Sequence, residues 1–330
     1  MRGYGVLSVN DDNIGSLRER YADGLTFVVG DTHGEGNTLQ ILMEKIRFDP
    51  DKDHVFFVGD YNSGGSVYQL LKYISAYYSE DYGTPGFHLI RGNHEHELEP
   101  SYPLENMPDI IVLRRKQLNY YIAHAGMISV VFGLINSDMA AHPAQNIFAY
   151  RLDSSTVCHD APLKQIIWSR RGLYSQKSRP RSWPEEKSLY INHACIIHGH
   201  TPYCFFVGDD DSVYGENSLF FQNQRVFFSE SLQSFDIDSN IKGLYNNGET
   251  YRGLSCVCLE ALEETAAANY GVLTVEGIRN SENAVFSAAY VTGWSFEPKG
   301  DICRVLKASP EMKTITLGEY GDPVLTDDRK

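Results

Sequence analysis

Three short apolar runs, Leu25 to Val29, His54 to Val58 and Phe87 to Ile90, each end on a glycine step that carries a possible ligand. The first closes in Gly30-Asp31-Thr32-His33-Gly34, the second in Gly59-Asp60, and the third in Arg91-Gly92-Asn93-His94-Glu95. Runs this short and apolar, bounded by glycine, read as buried strands. Between them Leu39, Leu42, Met43 and Ile46, then Val67, Leu70, Leu71 and Ile74, recur at the spacing of one helix face. This order predicts βαβ crossovers and a largely parallel sheet, so the fold class is α/β. Ligands of such sheets bind outside the carboxyl ends of the strands. Asp31, His33, Asp60, Asn93 and His94 are therefore expected on one rim.

Two later apolar runs end in the same way. Tyr121-Ile122-Ala123 leads into His124-Ala125-Gly126, and Cys195-Ile196-Ile197-His198-Gly199 leads into His200-Thr201. A single Gly-Asp is ordinarily a turn, and a single strand-end histidine is ordinarily hydrogen-bonded core. Five such ends in one chain form a pattern. Mixed oxygen and nitrogen ligands without thiolate favour manganese, iron or zinc over magnesium, calcium or cuprous copper. Six or seven ligands are too many for one tetrahedral ion and suit two ions sharing a carboxylate. His54, His88, His96, His142, His159 and His193 fit no such pattern and read as structural. Asp209 to Asp211 reads as a solvated loop whose spacing does not match an EF-hand.

Further strands are expected at Val226 to Phe228, Phe235 to Ile237, Leu254 to Leu259, Val272 to Val275, Val285 to Val291 and Thr314 to Leu317. Gln176 to Lys187 and Gly208 to Asn217 read as loops, and no solenoid-period repeat occurs. Lys and Arg total 29 against 43 Asp and Glu, a net charge of −14. Such a chain repels phosphate backbones and anionic lipid, which excludes nonspecific nucleic-acid and membrane-surface binding. An anionic substrate would need a local positive centre. With no apolar run of membrane-spanning length and no signal-like start in Met1 to Asn10, the expected location is cytoplasmic. The six cysteines, without CxxC spacing, read as buried reduced thiols, with Cys256 and Cys258 on one strand face.

Taken together, Asp31-Thr32-His33, Gly59-Asp60, Gly92-Asn93-His94-Glu95, His124 and Gly199-His200 resemble the calcineurin-like metallophosphoesterases. Gly199-His200-Thr201, with no second histidine after it, is similar to the phosphoprotein-phosphatase branch, including small bacterial and phage serine/threonine phosphatases. Trp168-Ser169-Arg170 and Ile237-Asp238-Ser239 also resemble segments of those enzymes. The resemblance implies a two-sheet β-sandwich flanked by helices, in four layers, with a dinuclear metal centre at one edge. It spans roughly residues 25 to 260. By motif, Asp31 and His33 bind one ion, Asp60 bridges both, and Asn93, His124 and His200 bind the second. The implied cofactors are two divalent ions, manganese first, with iron or zinc as alternatives. His94 would protonate the leaving-group oxygen, and Arg91, Arg170 and Asn93 would contact the substrate phosphate.

One departure stands out. The family's second motif usually continues through an Asp-Arg-Gly triplet, where this chain reads Asp60-Tyr61-Asn62-Ser63-Gly64-Gly65. Ser63 replaces a carboxylate that orients the catalytic histidine, and Gly64 replaces an arginine that holds phosphate. The expectation is intact metal binding with weakened phosphomonoesterase activity, and a pocket open to a bulkier or diester substrate. The leading function is metal-dependent hydrolysis of phosphomonoesters, including phosphoproteins, by in-line attack of a metal-bridging hydroxide. A phosphodiesterase or dinucleoside-polyphosphate hydrolase is the first alternative. A metal-binding protein without turnover is the second. The expected organisation is a catalytic domain over 1–262 and a β-rich extension over 263–330 packed on it.

Overall fold

The computed structural model describes residues 7–9, 11–62, 67–96, 104, 107–115, 118–153, 166, 194–201, 218–221, 226–229, 234–238, 241, 253–266, 273–275, 312–317 and 323–327. Two mixed sheets lie at its centre. In the first, the parallel neighbours are β2 (Thr26–Val29), β3 (His54–Phe57) and β4 (Gly86–Leu89), joined through α2 (Gly36–Lys45) and α3 (Val67–Tyr77). Beyond β2 the sheet continues with β12 (Cys256–Cys258), β13 (Leu273–Val275) and β1 (Leu7–Val9). β12 runs antiparallel to both of its neighbours. The sheet is therefore mixed rather than largely parallel, because a strand from far along the chain enters it without a helical crossover.

The second sheet is built round β5 (Ile110–Arg114), β6 (Asn119–Ala123), β7 (Ile147–Leu152) and β8 (Ala194–His198). Its remaining strands are β9 (Ser218–Phe221), β10 (Val226–Ser229), β11 (Ser234–Asp236), β14 (Lys313–Leu317) and β15 (Pro323–Asp327). Strands from beyond residue 262 thus enter both sheets. β6, β8 and β11 are mutually parallel. The remaining helices are α1 (Asp11–Arg20), α4 (Asn93–His96), α5 (Ser129–Ala141) and α6 (Leu259–Ala266). Leu259, expected to end a strand, starts α6 instead.

Strand alternation explains the layering. Phe27, Val29, Val55 and Phe57 face Leu39, Leu42, Leu70 and Leu71 on α2 and α3. The intervening Val28, Phe56 and Val58 face inward, where they meet Ile111, Ile122, Cys195, Ile197 and Phe235 of the second sheet. The far face of that sheet, with Val112, Tyr121 and Ile196, is covered by Val131, Phe132, Ile135 and Met139 of α5. Both faces of β2, β3, β4, β6 and β8 are buried, which is why these strands read as continuous apolar runs. Cys256 and Cys258 share the helix-covered face, while Val257 lies between the sheets. β5, α5 and β7 add to the elements expected from sequence; none closes on glycine beside a ligand. Among the described residues, no helix is long and apolar enough to cross a membrane.

A histidine pair lies between the sheets, His54 opening β3 and His88 standing third in β4. His54 Nδ1 and His88 Nε2 stand 3.1 Å apart, and the His88 ring stacks on Phe56 at 4.7 Å. Burial depresses both imidazoles, His88 to about 3. A depressed histidine stabilises the fold above its unfolded value of 6.5, and that stability is lost as pH falls from there towards 3. Metal-free protein should therefore lose stability over that interval faster than a His88→Gln variant, by at most about 1.4 kcal/mol per pH unit. Urea unfolding of both proteins at a series of pH values checks this.

Candidate metal centre

Parallel register brings the strand ends to one rim. Val29, Phe57 and Leu89 are cross-strand neighbours, so β2, β3 and β4 finish side by side. Ile122 and Ile197 do the same for β6 and β8 in the other sheet. Asp31 and His33 follow β2, Asp60 follows β3, Asn93 opens α4, and His124 and His200 follow β6 and β8. All six are buried, from 0% exposed at His124 to 6% at His33.

The side chains form two groups that share Asp60, one with His124 and His200 and the other with His33 and His94. In one, His124 Nε2 lies 3.3 Å from Asp60 Oδ1 and 2.9 Å from Asn93 Oδ1. His200 Nδ1 lies 3.1 Å from His124 Nε2 and 2.8 Å from Asn93 Oδ1. In the other, His33 Nε2 lies 3.8 Å from Asp31 Oδ2 and 3.9 Å from Asp60 Oδ2. Asp60 thus turns Oδ1 to one group and Oδ2 to the other.

The donor chemistry fits a cation. His124 Nδ1 donates to the Val58 carbonyl at 2.8 Å, which leaves Nε2 of the neutral ring with a lone pair. That lone pair faces Asn93 Oδ1, itself an acceptor. The contact therefore needs either a proton on Nε2 or a cation between the two atoms. Ligand atoms about 2.1 Å from one ion and at right angles stand about 3 Å apart. The Asn93, His124 and His200 separations match that spacing.

Charge gives the same answer. Burial raises the Asp31 carboxyl well above its usual range, and the neighbouring Asp238 and Asp60 raise it further. Burial acts the same way on Asp60, but the imidazoles of His124, His94, His33 and His200 outweigh it and hold Asp60 below the usual range. Divalent ions would remove the repulsion between these carboxylates. The backbone is also bent to the task. His33, Asp60 and His200 hold φ of 43°, 55° and 69°, strain that costs on the order of 1–3 kcal/mol at each and clusters at functional sites. Glycine makes room beside them. A Cβ on Gly199 would collide with Asp31 Oδ1, and one on Gly92 with Asp60 Oδ1.

His94 differs from the rest. Its Nε2 lies 3.7 Å from Asp60 Oδ2, and its side chain is 25% exposed, on the open side of the cluster. Glu95, unassigned from sequence, is fully buried beneath the turns that carry Asp60 and Asn93. Only its hydrogen bonds to backbone N–H groups reveal it, and such bonds leave no residue pattern to read.

Arg91 is engaged elsewhere. Its Nε and Nη2 donate to Asp109 at 2.9 and 2.5 Å, and Nη2 also donates to the Leu152 carbonyl at 3.1 Å. The residue is 1% exposed, with Nε and Nη2 committed to Asp109. His96 Nε2 joins Asp109 at 2.7 Å. Against burial, the Arg91 guanidinium and the His96 contact hold the Asp109 carboxyl well below its usual range. Arg170, Ser63 and Gly64 lie outside the described residues, as do Trp168, Ser169 and Ser239.

A sandwich of two mixed sheets, with acids, imidazoles and an amide gathered from five strand ends, defines a metallophosphoesterase. The calcineurin-like phosphoesterase family model matches residues 25–204, more than half of the chain, and the chain belongs to that family. It is a hydrolase of the metallophosphoesterase class, whose members use divalent metals. The chain is 34% identical over 84 residues to the symmetrical bis(5'-nucleosyl)-tetraphosphatase of Actinobacillus succinogenes, covering 25% of this chain and 28% of that protein. It is 21% identical over 277 residues to the protein of the same name from Pasteurella multocida, covering 64% of this chain and 98% of the relative. The chain thus spans little more than a quarter of the first relative and nearly all of the second. A protein serine/threonine phosphatase from Saccharomyces cerevisiae superposes with a TM-score of 0.39 at 14% identity, covering 80% of this chain and 84% of that one.

The Arg91–Asp109 geometry predicts a stability effect. Arg91→Met leaves a buried carboxylate short of its main partner and should cost about 3–5 kcal/mol in urea unfolding. A phosphate-gripping Arg91 would instead raise KM with stability unchanged.

Proposed function

We propose that the chain hydrolyses a phosphoanhydride bond of a dinucleoside polyphosphate. Two divalent ions would be held by Asp31, His33, Asp60, Asn93, His124 and His200, with manganese as the first candidate for this oxygen and nitrogen set. The observation that carries the reading is the Asp60 carboxylate, with one oxygen turned to each ligand group. Such an ion pair, when bound, lowers the pKa of water and clamps phosphate oxygens. It would also supply the positive centre that a chain of net charge −14 needs for an anionic substrate.

The chain's own residues do the rest. Asp31 and His33 would hold one ion and Asn93, His124 and His200 the other, and all five are buried. His94, partly exposed to solvent and beside Asp60, would hold a proton at Nε2 and give it to the departing oxygen. Imidazole suits this task near neutral pH.

Two considerations favour the anhydride over the monoester that leads from sequence alone. The relatives that match this chain are named symmetrical bis(5'-nucleosyl)-tetraphosphatases. In addition, Ser63 stands where the family usually keeps the carboxylate that orients the catalytic histidine. A departing nucleoside diphosphate is a stabilised anion and needs less help from an acid than an alkoxide does. The departure would therefore cost an anhydride hydrolase less than it costs a phosphomonoesterase. Phosphomonoester hydrolysis, including that of phosphoproteins, is the second reading.

Metal-free protein reloaded with Mn²⁺ and given diadenosine tetraphosphate should release two molecules of ADP, faster than it turns over p-nitrophenyl phosphate. Asp60→Asn should abolish both reactions. His94→Asn should lower kcat by about 10²–10⁴ with metal content unchanged. Turnover of the monoester alone would establish the second reading. Inertness towards both would mark a binding protein that kept its ligands.

A further inference from the structure

The carboxylate of Glu95 ties the turn after β3 to the turn after β4. Its Oε2 accepts the N–H groups of Asp60 and Gly92, each at 2.8 Å, and its Oε1 accepts that of Tyr61 at 2.9 Å. Glu95 is 0% exposed. Three backbone N–H groups converging on one carboxyl group make a nest, filled here by the protein's own side chain. The nest surrounds the strained residue. Asp60 sits at φ 55°, and the N–H groups on either side of it, its own and that of Tyr61, both go to Glu95. On the opposite side the Asp60 carbonyl accepts the N–H of His33 at 2.8 Å. Asn93 follows directly on Gly92, so the same carboxylate also anchors the residue before a proposed ligand of the second ion.

We propose that Glu95 is a positioning residue that holds Asp60 in its left-handed conformation, and at the distance from Asn93 that lets one carboxylate serve two ions. This inference rests on the dinuclear reading above. Glu95 acts through Asp60 and touches neither ion nor substrate. Its chemistry is specific. The nest offers only donors, so it needs acceptors at both oxygens, and glutamine would set an NH₂ against one of the N–H groups. Aspartate keeps the carboxyl group but falls one methylene short.

The test follows Mn²⁺ titrated into metal-free protein by electron paramagnetic resonance, which separates isolated ions from an exchange-coupled pair. Wild-type protein should bind two ions and show the coupled spectrum. Glu95→Gln should keep one ion at near wild-type affinity, bind the second about 10–100-fold more weakly, and lose the coupling. Glu95→Asp should recover part of the coupled signal, and carries the test if the glutamine variant does not fold. A variant with a lowered melting temperature but wild-type stoichiometry and coupling would overturn the proposal, because Glu95 would then only stabilise the fold. Wild-type protein without a coupled pair would overturn the dinuclear reading, and this inference with it.

Discussion

Everything at the rim depends on one buried carboxylate facing two ways. Asp60 turns one oxygen to His124 and the other to His33. Buried carboxylates and lone pairs packed this closely are tolerable only with positive charge among them. Imidazoles supply part of it, as the depressed Asp60 shows, but Asp31 stays raised by burial and by Asp238. The site is therefore built at a cost that cations relieve, and the left-handed backbone at His33, Asp60 and His200 belongs to the same cost.

The fold makes that convergence affordable by separating two tasks. The three hydrophobic layers hold the sheets in register, and the sheets need only deliver five strand ends to one edge. Three ends come from the first sheet and two from the second, so the candidate centre straddles the sandwich. Its geometry is sensitive to how the sheets pack, because Gly199 of one sheet backs directly onto Asp31 of the other. Away from the rim, the His54–His88 pair shows the same interior accepting imidazoles.

Much of this is legible in the sequence for a simple reason. A ligand-bearing strand end needs an apolar run, a glycine for close approach and an acid, amide or imidazole, and those three features are local. Asp31, His33, Asp60, Asn93, His124 and His200 were accessible to reading on that basis, and so was the α/β class. What was not local was not legible. Arg91 adjoins a ligand motif, yet its direction is decided by Asp109, 18 residues further on. Glu95 lies inside a motif, but its partners are backbone N–H groups that any sequence supplies. The antiparallel entry of β12 depends on a pairing with β2 across more than 200 residues, which periodicity cannot signal.

The most direct measurement is anomalous diffraction from crystals of the protein loaded with Mn²⁺. The account predicts two peaks about 3.5–4 Å apart, one on each side of the Asp60 carboxylate, with Asp31 and His33 around the first and Asn93, His124 and His200 around the second. A single peak, or a pair in which Asp60 touches only one ion, would contradict it.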